Sequence, residues 1–273
     1  MEERKQNLDI LRSVKNFIID MDGVLYRGQQ PLAGAQQFLK YLQGQGVPFV
    51  LATNNSTLTP GQYVAKLRAM AIEVSEEHIL TSGQATAIYL SKTAPTKTRV
   101  YVIGEEGLLS AMKEQGFLVT ENEVDFVVVG MDRQLTYQKL EIAALAIRAG
   151  ATFVGTNPDT TLPTERGLVP GNGANLAALE AATGVTPLVI GKPRPILLRL
   201  AMEKLGIAPD GTAIIGDRLE TDILGGKEAG LTTILVLTGI SDREELETSP
   251  YQPDLVFDEI GSLCQAWCSK EEH

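Results

Sequence analysis

Residues 18–28 read IIDMDGVLYRG, and this stretch decides the fold. A short apolar run ends in Asp20 and Asp22, one residue apart, and Gly23 follows. Like charges that close repel and raise each other's pKa values, so a strand end with no further task would rarely carry both. The change from apolar run to polar turn marks the C-terminal end of a buried strand, the edge where open α/β sheets place their ligands. Taken alone, D-x-D is also what an ordinary Asx turn looks like.

Outward from that strand the same rhythm repeats. AGAQQFLKYLQGQG places Phe38, Leu39 and Leu42 at helical spacing, with Gly44 as the stop. A second strand, VPFVLATN (47–54), precedes a helix opened by Thr59 as cap and Pro60 in its first turn. The C-terminal third continues with strands PLVIG (187–191), GTAIIGD (211–217), TTILVLTG (232–239) and DLVF (254–257), and a helix over 193–205. Continuous apolar runs suit a parallel sheet covered on both faces. The middle of the chain holds strands RVYVIG, VDFVVVG and ATFVGTN, and a helix from Thr136 to a stop at Gly150. Pattern alone fits either an inserted domain or one continuous sheet.

Composition narrows the chemistry. A length of 273 residues with 44% hydrophobic and 21% charged residues is a globular balance. The net charge of −10 argues against nucleic acid or an anionic membrane as partner, since both need a basic face. No apolar stretch reaches membrane-spanning length, and the polar start MEERKQNLDILRSVKN does not read as a signal peptide, so a cytoplasmic location is expected. The two histidines, His78 and His273, make a histidine triad or zinc site improbable. Cys264 and Cys268 lie on one face of a terminal helix beside Trp267, as small apolar side chains rather than a metal clip. Any metal must then be held by oxygen, which points to Mg²⁺.

Three further motifs stand at strand ends. In ATNNST (52–57), Thr53 and Asn54 offer a hydroxyl and a backbone N–H, good donors to a phosphoryl oxygen, although the segment also reads as a turn-and-cap cluster. Lys192, in GKPRPILLRL, sits before a helix N-terminus with Gly191 and Pro193 on either side. In IIGDRLETDILGG (214–226), Asp217 ends a strand and can reach a metal directly. Asp222, five residues on, can orient a neighbouring group or serve as a helix N-terminal carboxylate. Two acids, a hydroxyl–amide pair, a lysine and a further acid at four strand ends form a set that chance does not readily assemble.

DMDGV, TNNS, GKP and GDRLETD, in that order, resemble the four motifs of the haloacid dehalogenase-like phosphatases. GATFVGTNPD and LVPGNGANLAALEAATG, within the interval between Ser56 and Lys192, resemble the NagD-like, p-nitrophenylphosphatase-like branch. The resemblance implies a Rossmann-like doubly wound parallel core over 1–82 and 187–273, with an inserted α/β cap of the C2 type over 83–186. It implies a Mg²⁺-dependent phosphatase of small phosphate monoesters, with a homo-oligomer through the cap as an option. By the same resemblance, Asp20 is the nucleophile and Asp22 protonates the leaving alkoxide, then activates water. Mg²⁺ is bound by Asp20, the Asp22 backbone carbonyl and Asp217, and Thr53, Asn54 and Lys192 hold the phosphoryl oxygens. The cap turns TNPD and GNG offer Asn157, Asp159 and Asn172 as contacts for the leaving group, although each also reads as an ordinary loop residue. Sugar phosphates, nucleotides, phosphoglycolate and pyridoxal phosphate all fit the branch.

Other reactions on this scaffold can be weighed. A dehalogenase does not need an acid at position 22, and an ion-pumping ATPase would need membrane spans. A phosphomutase or phosphotransferase stays open. A phospho-accepting signalling module separates its acid pair from the acceptor and is about half this length. A dinucleotide site is weaker still, because GNGANL (171–176) lacks the third glycine.

Overall fold

A computed structural model of the chain describes residues 9–164 and 166–268. His273 and the first eight residues of the polar start lie outside them. In chain order the elements begin with β1 (Asn16–Ile19), β2 (Tyr26–Arg27), β3 (Gln30–Pro31), α1 (Ala35–Gln45), β4 (Phe49–Thr53) and α2 (Pro60–Ala69). After β5 (Ile79–Thr81) and α3 (Ser82–Ser91) come β6 (Arg99–Ile103), α4 (Glu106–Glu114), β7 (Leu118–Val119), β8 (Phe126–Val129), α5 (Tyr137–Arg148) and β9 (Thr152–Gly155). Next are β10 (Thr161–Thr164), β11 (Gly167–Pro170), α6 (Asn172–Thr183), β12 (Leu188–Val189), α7 (Pro195–Leu205) and β13 (Thr212–Gly216). The chain closes with a π-helical turn (Leu219–Ile223), α8 (Leu224–Ala229), β14 (Thr232–Val236), α9 (Arg243–Thr248), β15 (Leu255–Phe257) and α10 (Ile260–Cys268).

These elements form two compact units. Among the described residues, the first takes 9–52, Tyr63–Leu80 and 193–268; the second takes Thr53–Gln62 and Thr81–Lys192. The first is built on a six-stranded sheet of order β15-β14-β13-β1-β4-β5. Strand β1 pairs in parallel with both β13 and β4, so the chain winds one way from β1 through β4 and the other way from β13. That reversal is a topological switch point, where the strand ends leave a crevice. The strand is held from behind by aromatic packing: Phe17 meets Phe38 of α1 edge-on at 5.3 Å and Trp267 of α10 at 5.1 Å. On α10, Cys264 and Cys268 lie with sulfurs 3.7 Å apart, and burial first, then Cys268, pushes the Cys264 thiol up to about 12. A thiol that stays protonated is inert, which fits its packing role.

The second unit has its own five-stranded parallel sheet, β12-β9-β8-β6-β7, and an antiparallel β10–β11 ribbon. Tyr101, Ile103, Val127, Val129 and Phe153 share a core with Ala143 and Ile147 of α5 and Leu176 and Leu179 of α6. The alternating Val100, Val128 and Val154 are also buried, as a sheet covered on both faces requires. Two details differ from the expectation. Helix α1 runs past Gly44 and stops at Gly46, whose φ of 66° lets the chain turn left-handed at its C-cap. The run at 187–191 does not join the C-terminal strands: β12 pairs with β9 and forms the edge of the middle sheet. An apolar run so short carries no mark of which sheet it will extend.

Candidate active site

Register brings the first acids together. Ile19 is opposite Ile215, and the Asp20 N–H continues that ladder to the Ile215 carbonyl at 2.9 Å. Asp20 therefore leaves β1 level with the end of β13, one residue short of Asp217. After Asp217 the π-helical turn folds the chain back, a distortion of the kind often found at functional positions. Asp222 thereby returns its Oδ2 to accept from the N–H groups of Asp217 (3.3 Å) and Arg218 (3.1 Å). Asp20, Asp217 and Asp222 are 8%, 3% and 1% exposed, and each offers a carboxylate oxygen within 4.8 Å of the others. Like charges at that distance repel by roughly 3–4 kcal/mol per pair at an effective dielectric constant of 20.

The loops around this cluster are shaped to it. Asp217 Oδ2 accepts from the Ile240 N–H at 2.8 Å, and its carbonyl accepts from Ser241 N–H at 3.0 Å. Gly23 has φ of 83°, and a Cβ there would collide with the Asp217 carboxylate, so only glycine fits. Arg27 donates to the Gly239 carbonyl at 3.0 Å and Thr238 to the Gly23 carbonyl at 2.6 Å, which ties the turn after β1 to the loop after β14.

Asp22 behaves differently from Asp20. It is exposed, and the turn closes over it: Gly23 N–H donates to the Tyr26 carbonyl at 2.9 Å. That brings Tyr26, fully buried, back so that its hydroxyl donates to Asp22 Oδ2 at 3.1 Å. The Lys66 ammonium of α2 lies 3.9 Å from the centre of the Tyr26 ring.

The second unit gathers neutral donors and a lysine. Thr53 Oγ1 accepts from Asn55 N–H at 3.1 Å, which leaves its own hydroxyl hydrogen as a donor. The Asn54 side chain forms a reciprocal pair with the backbone of Lys192, Nδ2 to the carbonyl at 2.9 Å and Oδ1 from the N–H at 2.8 Å. The same Nδ2 reaches both oxygens of Asp159, at 3.2 and 3.3 Å. A Cβ at Gly191 would come 2.6 Å from Asn54 Oδ1, so glycine is what admits the clamp. Lys192 is 2% exposed.

Residues 17–118 match the family described as haloacid dehalogenase-like hydrolase, and residues 189–263 match a second family described as HAD-hydrolase-like. An acid sugar phosphatase of Staphylococcus aureus is 44% identical over 251 residues, 92% of this chain and 96% of that protein. The chain belongs to the haloacid dehalogenase-like hydrolases. Within that family, the structure of a 4-nitrophenylphosphatase from Thermotoga maritima superposes with a TM-score of 0.90 at 39% identity, covering 94% of this chain and 98% of that one. The structure of a glycerol phosphate phosphatase from Mycobacterium tuberculosis in complex with magnesium gives 0.86 at 34% identity, covering 94% and 77%.

The motif residues of this haloacid dehalogenase-like chain divide between the units. Asp20, Asp22, Asp217 and Asp222 lie in the first; Thr53, Asn54, Lys192, Asn157, Asp159 and Asn172 lie in the second. Asn157 and Asn172 are not open loop contacts. They are 4% and 2% exposed, with amides donating to the Asn54 carbonyl (2.7 Å) and the Asn157 carbonyl (2.8 Å). Asp159 is partly exposed and faces Asn54. Sequence reasoning missed Tyr26 and the 238–241 loop, though TG at a strand's C-terminal end was a usable signal.

Proposed function

We propose that this chain hydrolyses small phosphate monoesters by transferring the phosphoryl group to Asp20 and then to water. The observation that carries the reading is the convergence of three buried carboxylates at the ends of β1 and β13, beside the switch point. Hard oxygen donors packed this tightly fit a small divalent cation, and the donor set suits Mg²⁺. Asp20, Asp217 and the Asp22 carbonyl would hold it, with Asp222 close enough to share the load. When bound, it neutralises the carboxylates and draws charge from the phosphoryl oxygens.

The chain's own groups then divide the work. Asp20 attacks phosphorus through a carboxylate oxygen, and the P–O bond to the leaving group breaks in line with the attack. Asp22 gives its proton to the departing alkoxide and later takes one from the water that releases phosphate. Thr53 and the Asn54 N–H donate to phosphoryl oxygens, and Lys192 supplies a positive charge beside them. The Asn54 side chain serves a different end, holding the backbone of Lys192 in place. The middle segment acts as the cap that selects leaving groups, with Asn157 and Asn172 bracing the Asn54 loop. Among the described residues no helix is long and apolar enough to cross a membrane.

The test is release of inorganic phosphate from a panel of sugar, glycerol and nucleoside monophosphates with Mg²⁺. Free phosphate in step with loss of ester supports hydrolysis. Phosphate passed to a second hydroxyl, with none released, would instead mark a mutase.

A further inference from the structure

The turn after the acid pair carries a residue that the four motifs do not include. Tyr26 lies four positions beyond Asp22, and its backbone is fixed twice. Its carbonyl accepts from Gly23 N–H at 2.9 Å, and it pairs with Pro31 across the β2–β3 hairpin. Its ring is fixed by complete burial and by the Lys66 ammonium 3.9 Å away. The hydroxyl is therefore a stationary donor, aimed at one oxygen of an exposed carboxylate. Burial first, then the charge of Asp22, with Tyr63 and Asp20 adding to it, keeps that hydroxyl protonated far above the usual tyrosine range. Lys66, pushed down by burial and drawn up by Asp22, also faces the ring.

From this geometry we infer that Tyr26 is a positioning residue for Asp22: by donating to Oδ2 it fixes the carboxyl plane and leaves Oδ1 as the oxygen that carries the transferred proton. The inference rests on the proposed acid–base role of Asp22. The O–H pointing at Oδ2 takes up one of its lone pairs, and a carbonyl oxygen accepts better than the hydroxyl oxygen of a protonated acid, so the arrangement favours the proton on Oδ1. An exposed aspartate without such a contact samples several rotamers, and a displacement of about 1 Å at a reacting group can cost on the order of 10²-fold in rate.

Leaving-group dependence separates this from a merely structural role. A p-nitrophenolate leaves without help, whereas an alkoxide needs its proton. The value of kcat/KM reports only the steps up to loss of the leaving group. Tyr26→Phe removes one oxygen and keeps the ring that packs. Expected is a fall in kcat/KM of about tenfold for the best alkyl phosphate, part of the roughly 10²–10⁴-fold that acid–base catalysis supplies. Under about threefold is expected for p-nitrophenyl phosphate, because the only group lost acts on the proton. Asp22→Asn should show the same selectivity more strongly, and the double variant should be no worse than Asp22→Asn alone. Equal losses on both esters in Tyr26→Phe, no loss at all, or additive losses in the double variant would overturn the role of Tyr26 while leaving Asp22 as the acid. A non-selective Asp22→Asn would overturn both together. Wild-type-like melting of Tyr26→Phe makes the selectivity a statement about chemistry, and Tyr26→Leu, which removes the ring as well, should fall on both esters.

Discussion

The two units have similar sheets and gather different side chains. Both sheets are parallel, with interiors of Val, Ile and Phe. The first unit ends its strands in carboxylates, Asp20 and Asp217, and brings Asp222 beside them on a π-helical turn. The second gathers hydroxyls, amides and one buried lysine: Thr53, Ser82, Asn157 and Lys192 around Asn54. Anionic groups in one unit suit a cation and an attacking nucleophile; neutral donors with a lysine suit an anion. The lesson is that the sheet is a scaffold common to both, and the residue after the last buried apolar position decides the chemistry.

That contrast can be broken most directly at Asp20. Asp20→Asn should lower kcat by more than about 10⁴-fold, the scale seen when a nucleophile is removed, while the protein stays folded. Near-native hydrolysis of p-nitrophenyl phosphate by this variant would show that the carboxylate unit does not carry the chemistry.

The next largest effect should come from the donor side. Asn54→Ala strands the Lys192 N–H and carbonyl in a buried site, so a loss of about 2–3 kcal/mol in urea unfolding is expected together with a loss in kcat/KM. Asp159→Ala removes the contact to Nδ2 and leaves the clamp on the Lys192 backbone in place, so it should cost less in both measurements. If Asp159→Ala proved the more damaging, the aspartate would be acting on substrate and not through Asn54.

A metal titration sharpens the same comparison. EDTA should abolish activity and Mg²⁺ restore it, while Ca²⁺ should inhibit, because it prefers more ligands at longer distances. Mg²⁺ at about 100 times its Kd should stabilise the fold by about 2.7 kcal/mol, and Asp217→Asn should erase most of that gain. Full activity after exhaustive dialysis against EDTA would remove the cation from the account.

The smallest effect expected lies away from the strand ends that carry chemistry. Asp254 is held below the usual carboxylate range: burial opposes this, but the Thr233 hydroxyl (2.7 Å) and N–H (2.8 Å) outweigh it, with Lys227 assisting. A carboxylate with a lowered folded pKa contributes stability above its unfolded value, and that stability is lost as pH falls through the folded one. Asp254→Asn should therefore cost about 1 kcal/mol at neutral pH and narrow the difference from wild type in acid, followed by thermal melts.

Much of this was legible in the chain. The runs ending at Asp20, Thr53 and Asp217 could be read as strands because each is a short buried apolar stretch that changes abruptly to polar residues. The Thr59 and Thr136 caps were legible because capping is local: the Thr59 hydroxyl accepts from Gln62 N–H and the Thr136 hydroxyl from Lys139 N–H, each three residues on. The hairpin β2–β3, the short strands β5 and β7 and the ribbon β10–β11 were not legible, since two to four residues leave no periodicity to count.

Residue type and near-neighbour spacing were enough for the order of the motifs, the parallel α/β rhythm and the reading that any metal would have to be held by oxygen. Only the tertiary structure decided that β12 extends the middle sheet, that the Asn54 side chain clamps Lys192, and that Asp222 stands level with Asp20 and Asp217. The reason is physical. Asn54 and Lys192 are 138 residues apart, and what brings them together is strand pairing and close packing around Gly191, which no local pattern encodes. Tyr26 and Asp22 are only four apart, yet their contact too depends on a turn that Gly23 alone can make, closed around a carboxylate contributed by a distant strand.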